Sequence, residues 1–293
     1  MSRIYVGTSS WADHTNFYPP DLPSNQQIRF YAQHFPIVEI NSTFYRMQPA
    51  RNFQLWAERT PPGFLFDVKP YRQLTWHDRE NPPDEQVFDE FRRSLQPLRE
   101  HGKLGAVTFQ FPPWFVFRPQ NVDYTRRCRE TLPEDRVSVE FRHRSWLEGD
   151  HVPKLLDTLR EHGIALTVVD EPQVGSGSVP TVLEVTNPEL ALVRFHGRNA
   201  KTWYKKVERT ADRFDYLYSE DELREWVPNL AHLTEQGLKA PFEGGGKAPS
   251  AEGAQELHVF FNNNRDDYAV RNARQLTQLL QGTLPGVVTP AQP

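Results

Sequence analysis

Eight short apolar runs recur along the chain, at positions 3–8, 37–41, 64–69, 104–111, 136–141, 164–169, 191–196 and 256–262. Each is bounded by polar or turn-forming residues. They are rich in β-branched and aromatic side chains and short enough to be strands. Their apolar character is nearly continuous, the pattern of parallel strands covered on both faces. Between them, segments 25–35, 49–60, 84–101, 122–132, 152–162, 220–236 and 266–281 carry the spacing of amphipathic helices. Local chemistry supports several helix ends. Ser219 precedes Glu220, Asp221 and Glu222, an N-cap followed by an acidic first turn. Pro153 stands in a first turn, where its missing N–H costs nothing. Gly102, Gly163 and Gly237 lie just past three helices, where a left-handed residue closes the last turn.

Strand–helix alternation with right-handed crossovers leaves an open doubly wound sheet or a closed barrel. Eight units favour closure, so the expected fold is one α/β domain over 1–293, a (β/α)8 TIM-type barrel. The sixth unit is irregular. Gly, Ser and Pro replace the helical period between Asp170 and Ala191, and a loop with an extra strand at 182–185 is expected there. The long polar connection 199–218 follows the seventh strand and belongs on the active face. The Gly/Pro/Ala-rich stretch 239–253 precedes the eighth strand, so it belongs on the opposite face as a flexible insertion. The tail 282–293 reads as frayed.

In a parallel barrel the C-terminal ends of the strands converge on one mouth, and their residues are the candidate chemistry. Here almost every strand ends in a polar or ionisable group: Glu39 and Asn41, Lys69, Gln110, Glu140 and Arg142, Asp170, Arg194 and His196, then Asn262. Such groups are costly to bury unless they pair or serve a ligand. Lys69, Arg142, Arg194 and Arg198 can form an anion clamp. Glu39, Glu140 and Asp170 are candidate acids or bases, with His196 and Lys69 as proton donors. The same charges can instead neutralise one another in a structural network.

Composition narrows the partners. The net charge is −4, from 34 basic and 38 acidic residues, which gives no broad electrostatic footprint for nucleic acid. Aromatics reach 12% in a chain only 38% apolar, so some rings are expected to line a pocket: Trp11, Tyr45, Trp114 and Trp146 follow strand ends. The one cysteine, Cys128, rules out an intrachain disulfide and points to a reducing, cytoplasmic setting. The N-terminus has no signal-peptide character, and no stretch is apolar for the length of a membrane span, so no membrane partner is expected.

The junction motifs GTSSW, VEINSTFYR, FQFPPWF, VEFRHRSW, RFHGRN, YLYSEDELREW and FFNNNRDDYAVRNA closely resemble the YecE-like bacterial family, domain of unknown function 72 (DUF72). The resemblance spans Gly7 to about Leu276. It implies a TIM-type barrel and no established reaction. The 239–253 stretch stands out as an insertion against the family pattern.

Three functions remain open from the residues. The first is an isomerase, lyase or hydrolase for a small anionic hydroxylated compound, a sugar acid or sugar phosphate. Arg142, Arg194 and Arg198 would hold the anion, Asn41, Gln110 and Asn262 would read hydroxyls, and Trp11, Tyr45, Trp114 and Trp146 would stack. The second is nucleic-acid processing, with Arg46, Arg142, Arg144, Arg198, Lys201, Lys205 and Lys206 on phosphates and Trp203 and Tyr204 on bases. The third is a non-catalytic metabolite-binding barrel. No cofactor is expected. Glu39, Glu140, Asp170 and His196 carry donors that suit a divalent metal, but the surrounding cations oppose one, and no second histidine stands out on the strands.

Overall fold

The computed structural model describes residues 1–205, 210–234 and 253–291. Among them, β1 (Arg3–Ser9), β2 (Ile37–Ile40), β3 (Leu65–Val68), β4 (Leu104–Gln110), β5 (Val137–Glu140), β6 (Ile164–Asp170), β7 (Leu190–Phe195) and β8 (Glu256–Phe261) form a closed parallel barrel. Strands neighbour one another in chain order, and β8 pairs back onto β1. This is the (β/α)8 TIM-type architecture read from the eight apolar runs. Every strand sits where a run was expected, with ends shifted by a residue at most.

The helices follow the same pattern. They are α1 (Gln27–Tyr31), α2 (Ser42–Tyr45), α3 (Ala50–Glu58), α4 (Glu85–Ser94), α5 (Gln96–Glu100), α6 (Pro119–Glu130), α7 (Val152–Glu161), α8 (Thr210–Arg213), α9 (Glu220–Leu233) and α10 (Tyr268–Gln281). Asp84 caps α4 by accepting from the Val87 N–H. Ser219 and Glu222 cap α9 reciprocally, satisfying two amide groups that would otherwise lack partners. The single helix expected over 84–101 is two, because Pro97 cannot donate within a continuous ladder and starts α5 afresh. Gly102 and Gly163 adopt φ of 63° and 62°, the left-handed closure expected of them. Gly237, Lys206 and most of the 239–253 stretch lie outside the described residues.

Two expectations fail. Residues 182–185 form no strand. That segment is tethered to β6 by side chains instead: Thr181 Oγ1 donates to Val169 O, and Thr186 Oγ1 donates to Ile164 O while accepting from Leu166 N. Both neighbours of β6 in the barrel are already taken by β5 and β7, so no edge is left to pair. The described tail is not frayed either. Val287 pairs with Ile4, with Val288 N donating to Ile4 O at 2.8 Å.

The main apolar core lies between strands and helices. Inside the barrel, among the described residues, are two small clusters, one of Tyr5, Ile37, Leu192 and Phe260 and one of Ala106, Ala165 and Leu190. At the base, Asp67 and Glu256 grip His258 from both sides, Nδ1 at 2.9 Å from Asp67 Oδ2 and Nε2 at 3.2 Å from Glu256 Oε2. Arg136 Nη1 at 2.6 Å and Arg3 complete the neutralisation of Glu256. Gly105 makes room for this layer: a Cβ there would stand 2.2 Å from Asp67 Oδ1. Burial works against a charge on His258, yet Asp67 and Glu256 raise its pKa above the ordinary histidine value.

Candidate functional site

The other end of the barrel is built from the strand termini. Here Arg194, from β7, reaches across the interior and donates to Glu140 Oε2 at 2.6 Å and Glu39 Oε2 at 2.7 Å. All three side chains are buried. Glu140 is the hub. Its Oε1 also accepts from Gln110 Nε2 at 2.6 Å, His196 Nε2 at 3.0 Å and Arg142 Nη1 at 3.2 Å. Burial acts to raise the Glu140 carboxyl, but Arg194, His196 and Arg142 outweigh it and hold it well below the usual carboxylate range. A carboxylate with that many donors is a poor proton acceptor, which counts against Glu140 as a general base.

His196 completes a chain. Asn262 Nδ2 lies 3.0 Å from its Nδ1, and an amide can only donate there, so the imidazole carries its proton on Nε2 and gives it to Glu140. Burial pushes the His196 pKa down to about 3 despite Glu140, and the ring is neutral. Arg194 occupies the space between Glu39 and Glu140 that a bridging metal would need.

Above this layer opens a cleft of about 850 Å³. Lys69, Arg142, Gln110, Asn41 and Asn262 reach it from the strand ends, as expected, together with Tyr45 and Trp114 at the rim, 67% and 48% exposed. Lys69 is 9% exposed, and among the described residues no carboxylate pairs with it; Nζ donates to Gln110 Oε1 at 3.0 Å. It also stands 4.8 Å from the Phe44 ring. Burial, then Arg194, brings its pKa down to about 8, against the opposing pull of Glu39 and Glu140. Asn41 Oδ1 and Asn264 Oδ1 are buried without a partner in the same walls, as is Glu39 Oε1 beneath them. Unpaired buried acceptors of this kind are costly and are the groups a ligand hydroxyl would satisfy.

Several expected members do not face this cleft. Trp146 is core: its ring stacks 3.9 Å from Phe141, and Nε1 donates to Phe115 O. Trp11 packs edge-on against Trp56 at 5.2 Å and is not among the lining residues. Asp170 and Arg198 form a separate network outside the mouth. Arg198 Nε and Nη2 grip the carboxylate at 2.9 Å and 2.7 Å, and Tyr218 Oη and Trp226 Nε1 donate to it. Of the three arginines expected to clamp an anion, only Arg142 lines the cleft. Arg194 is spent on Glu39 and Glu140, and Arg198 on Asp170.

Other members escaped the reading of strand ends because they lie further along the loops. His77, Asp13, Arg213 and Phe214 line the cleft, and Arg213 Nε has no hydrogen-bond partner among the described residues. Glu171, one residue past β6, accepts from Arg142 Nη1 at 2.7 Å and from Val179 N at 2.8 Å. Burial raises its carboxyl to about 7. Trp203 lies over the Arg142 guanidinium at 4.9 Å and is buried there, so it is not a free platform for a base.

The sequence profile described as "Protein of unknown function DUF72" matches residues 5–293. The chain is 39% identical to the UPF0759 protein YunF of Bacillus subtilis, with 94% of each chain covered. A solved DUF72 family protein from Thermotoga maritima superposes with a TM-score of 0.78 at 33% identity, covering 95% of this chain and 99% of that one. Another, from Enterococcus faecalis, gives a TM-score of 0.81 at 29% identity, covering 95% of each. Among the described residues no helix is long and apolar enough to cross a membrane.

Proposed function

This chain belongs to the DUF72 family, which carries no assigned activity, and from its own cleft we propose that it is an enzyme acting on a small anionic, hydroxylated substrate of the sugar-acid or sugar-phosphate kind. The observation that carries the reading is the contrast within the mouth. The deep charges are paired, while Lys69 lines the cleft with no carboxylate partner among the described residues. An anion would meet Lys69 and Arg142, the first unpaired and the second already held in place by Glu140 and Glu171. Asn41 and Asn264 would accept from its hydroxyls through the oxygens left free. Tyr45 and Trp114 would cover an apolar face.

The roles differ from those the strand ends suggest. Lys69 takes the proton-transfer role, since a group with pKa near 8 exchanges protons readily at neutral pH. Glu140, Arg194 and His196 hold Gln110, Arg142 and Asn262 in place rather than reacting themselves.

Calorimetric titration against a panel of sugar acids and sugar phosphates, with the recovered ligand analysed for conversion, tests this. At least one member should bind wild type, and the Lys69→Met variant should lose it. If no panel member binds, the proposal fails. Binding with unchanged recovery of every ligand would make the barrel a metabolite holder. Preference for oligonucleotides with a steep salt dependence would move the function to nucleic acid.

A further inference from the structure

We propose that Lys69 is a covalent catalyst: its amine adds to the carbonyl carbon of a small anionic aldehyde or ketone and forms an imine. This rests on the cleft reading above and narrows its substrate to a carbonyl compound.

The geometry has three parts. First, Lys69 lines the same cleft as Asn41, Asn262 and Trp114, yet its side chain is nearly enclosed. Second, the amine is not tied down as a structural cation. A buried structural lysine is held by several oxygens, as Lys103 is here by Ala57 O, Thr60 O and Thr60 Oγ1 at 2.6, 2.7 and 3.0 Å. Lys69 has one neutral acceptor, Gln110 Oε1. The orientation of that amide is set from behind, because Gln110 Nε2 donates to Glu140 at 2.6 Å and so turns the oxygen toward Lys69. One N–H bonded to Gln110 leaves the lone pair of the neutral amine free for attack. Third, burial weighs against a charge on the nitrogen, and the guanidinium groups of Arg194 and Arg142, which never lose theirs, add to it against the pull of Glu39 and Glu140. Both guanidinium groups are fixed by Glu140, Glu171 and Glu39, so they cannot swing away when the lysine is protonated. Burial, more than this partly offset repulsion, favours the neutral, nucleophilic form, the way a desolvated lysine is activated.

The step balances without any oxidant or reductant. The Lys69 nitrogen forms a bond to the carbonyl carbon as the C=O π pair moves to oxygen. A proton passes from nitrogen to that oxygen, giving a carbinolamine. The hydroxyl then leaves as water, taking one proton from solvent in the open cleft, and the nitrogen lone pair closes the C=N bond to an iminium. Such an iminium withdraws electrons from the adjacent carbon, which suits bond cleavage, bond formation or proton exchange beside the former carbonyl. Arg142 would sit on the substrate's anionic group.

The test is reductive trapping on the full-length protein. Pyruvate, a carboxylate ketone, and ribose 5-phosphate, a phosphorylated aldehyde in its open form, are each incubated with sodium cyanoborohydride, and adducts are mapped by peptide mass spectrometry. Lys69 should be labelled at least tenfold faster than Lys154 and Lys201, in one arm or both, and the preferred arm names the anion. Inorganic phosphate should slow labelling at Lys69 and leave the other lysines unaffected. The rate at Lys69 should rise with pH through a midpoint near 8, whereas an ordinary lysine would continue to gain toward 10.5. In Lys69→Arg, which keeps the positive charge but has no primary amine, the adduct should vanish. Labelling at Lys69 no faster than at Lys154 overturns the proposal. If phosphate binding survives in that case, the anion-binding reading stands without covalent catalysis; if phosphate does not bind wild type either, both fall.

Discussion

The two ends of the barrel interior solve the same problem differently. At the base, His258 is enclosed by Asp67 and Glu256, and Glu256 by Arg3 and Arg136. Each charge there has an opposite at hand. At the mouth the deep charges of Glu39, Arg194 and Glu140 pair with one another, although Glu39 Oε1 and Arg194 Nε find no hydrogen-bond partner among the described residues, and in the layer above even the charge pairing is incomplete. Among the described residues Lys69 makes no ion pair, and Asn41 Oδ1 and Asn264 Oδ1 have no donor. Between the ends lies the apolar cluster of Tyr5, Ile37, Leu192 and Phe260. Both ends are polar and buried, so polarity alone does not mark a site. Incomplete pairing in the walls of a cleft is more telling, because an uncompensated buried group is costly and a ligand there can compensate it.

That contrast predicts opposite mutational behaviour. The largest effect belongs to the base. Asp67→Ala leaves His258 without its main partner and should cost about 3–5 kcal/mol, read from urea unfolding, while phosphate affinity per folded molecule is unchanged. A weakened affinity there would join the two ends functionally and break the comparison. Next comes Gly105→Ala. The added methyl would meet Asp67 Oδ1, and a loss of about 1–3 kcal/mol should follow as the layer shifts. Wild-type stability in Gly105→Ala would mean that the base tolerates movement.

The pH dependence separates the ends by sign. His258 has a folded pKa raised above its unfolded value near 6.5, so its contribution is complete below that value and is lost as pH rises through the folded pKa. Lys69 is the reverse. Its folded pKa near 8 lies below the unfolded 10.5, so the unfolded chain binds the extra proton in that window and stability rises from about pH 8 to 10.5. Unfolding free energies across pH 6 to 10.5 should show the falling part shrink in His258→Gln, leaving the share of Glu171 below about pH 7, and the rising part shrink in Lys69→Met, leaving the share of Lys103. The smallest stability change is expected for Lys69→Met itself at pH 7, where removal of an unpaired cation should leave the urea midpoint unchanged or slightly higher. Its anion affinity should nevertheless fall by about tenfold or more, roughly 1.4 kcal/mol. A destabilised Lys69→Met would return the lysine to a structural role.

The barrel was legible because its strands are buried on both sides, and unbroken apolar runs say so directly. Capping at Ser219 and closure at Gly102 and Gly163 were legible for the same reason: local chemistry decides them. The convergence of Glu39, Glu140, Arg194 and His196 also followed from their position at strand ends. What failed was depth. A charge at a strand end reads alike whether it lies under the cleft, as Arg194 does, lines it, as Arg142 does, or turns away from it, as Asp170 does. Aromatics share the ambiguity, since Trp146 and Trp114 both follow strand ends and only Trp114 remains at the rim. The base layer left a fainter mark. Asp67 and His258 are each a polar residue inside an apolar run, several positions before or just short of the strand end, and such an interruption signals a partner across the barrel. Loop residues such as His77 and Arg213 leave no such mark, because their place depends on how the chain folds back over the mouth.

One quieter feature has practical weight. The chain's single thiol, Cys128, is fully enclosed in α6 against the core, and burial pushes its pKa up, away from the reactive thiolate. The folded surface is therefore inert to maleimides and similar reagents. A cysteine installed at the exposed rim, in place of Tyr45 for example, would be the one site such a reagent finds, and a dye or spin label placed there would report directly on events in the cleft.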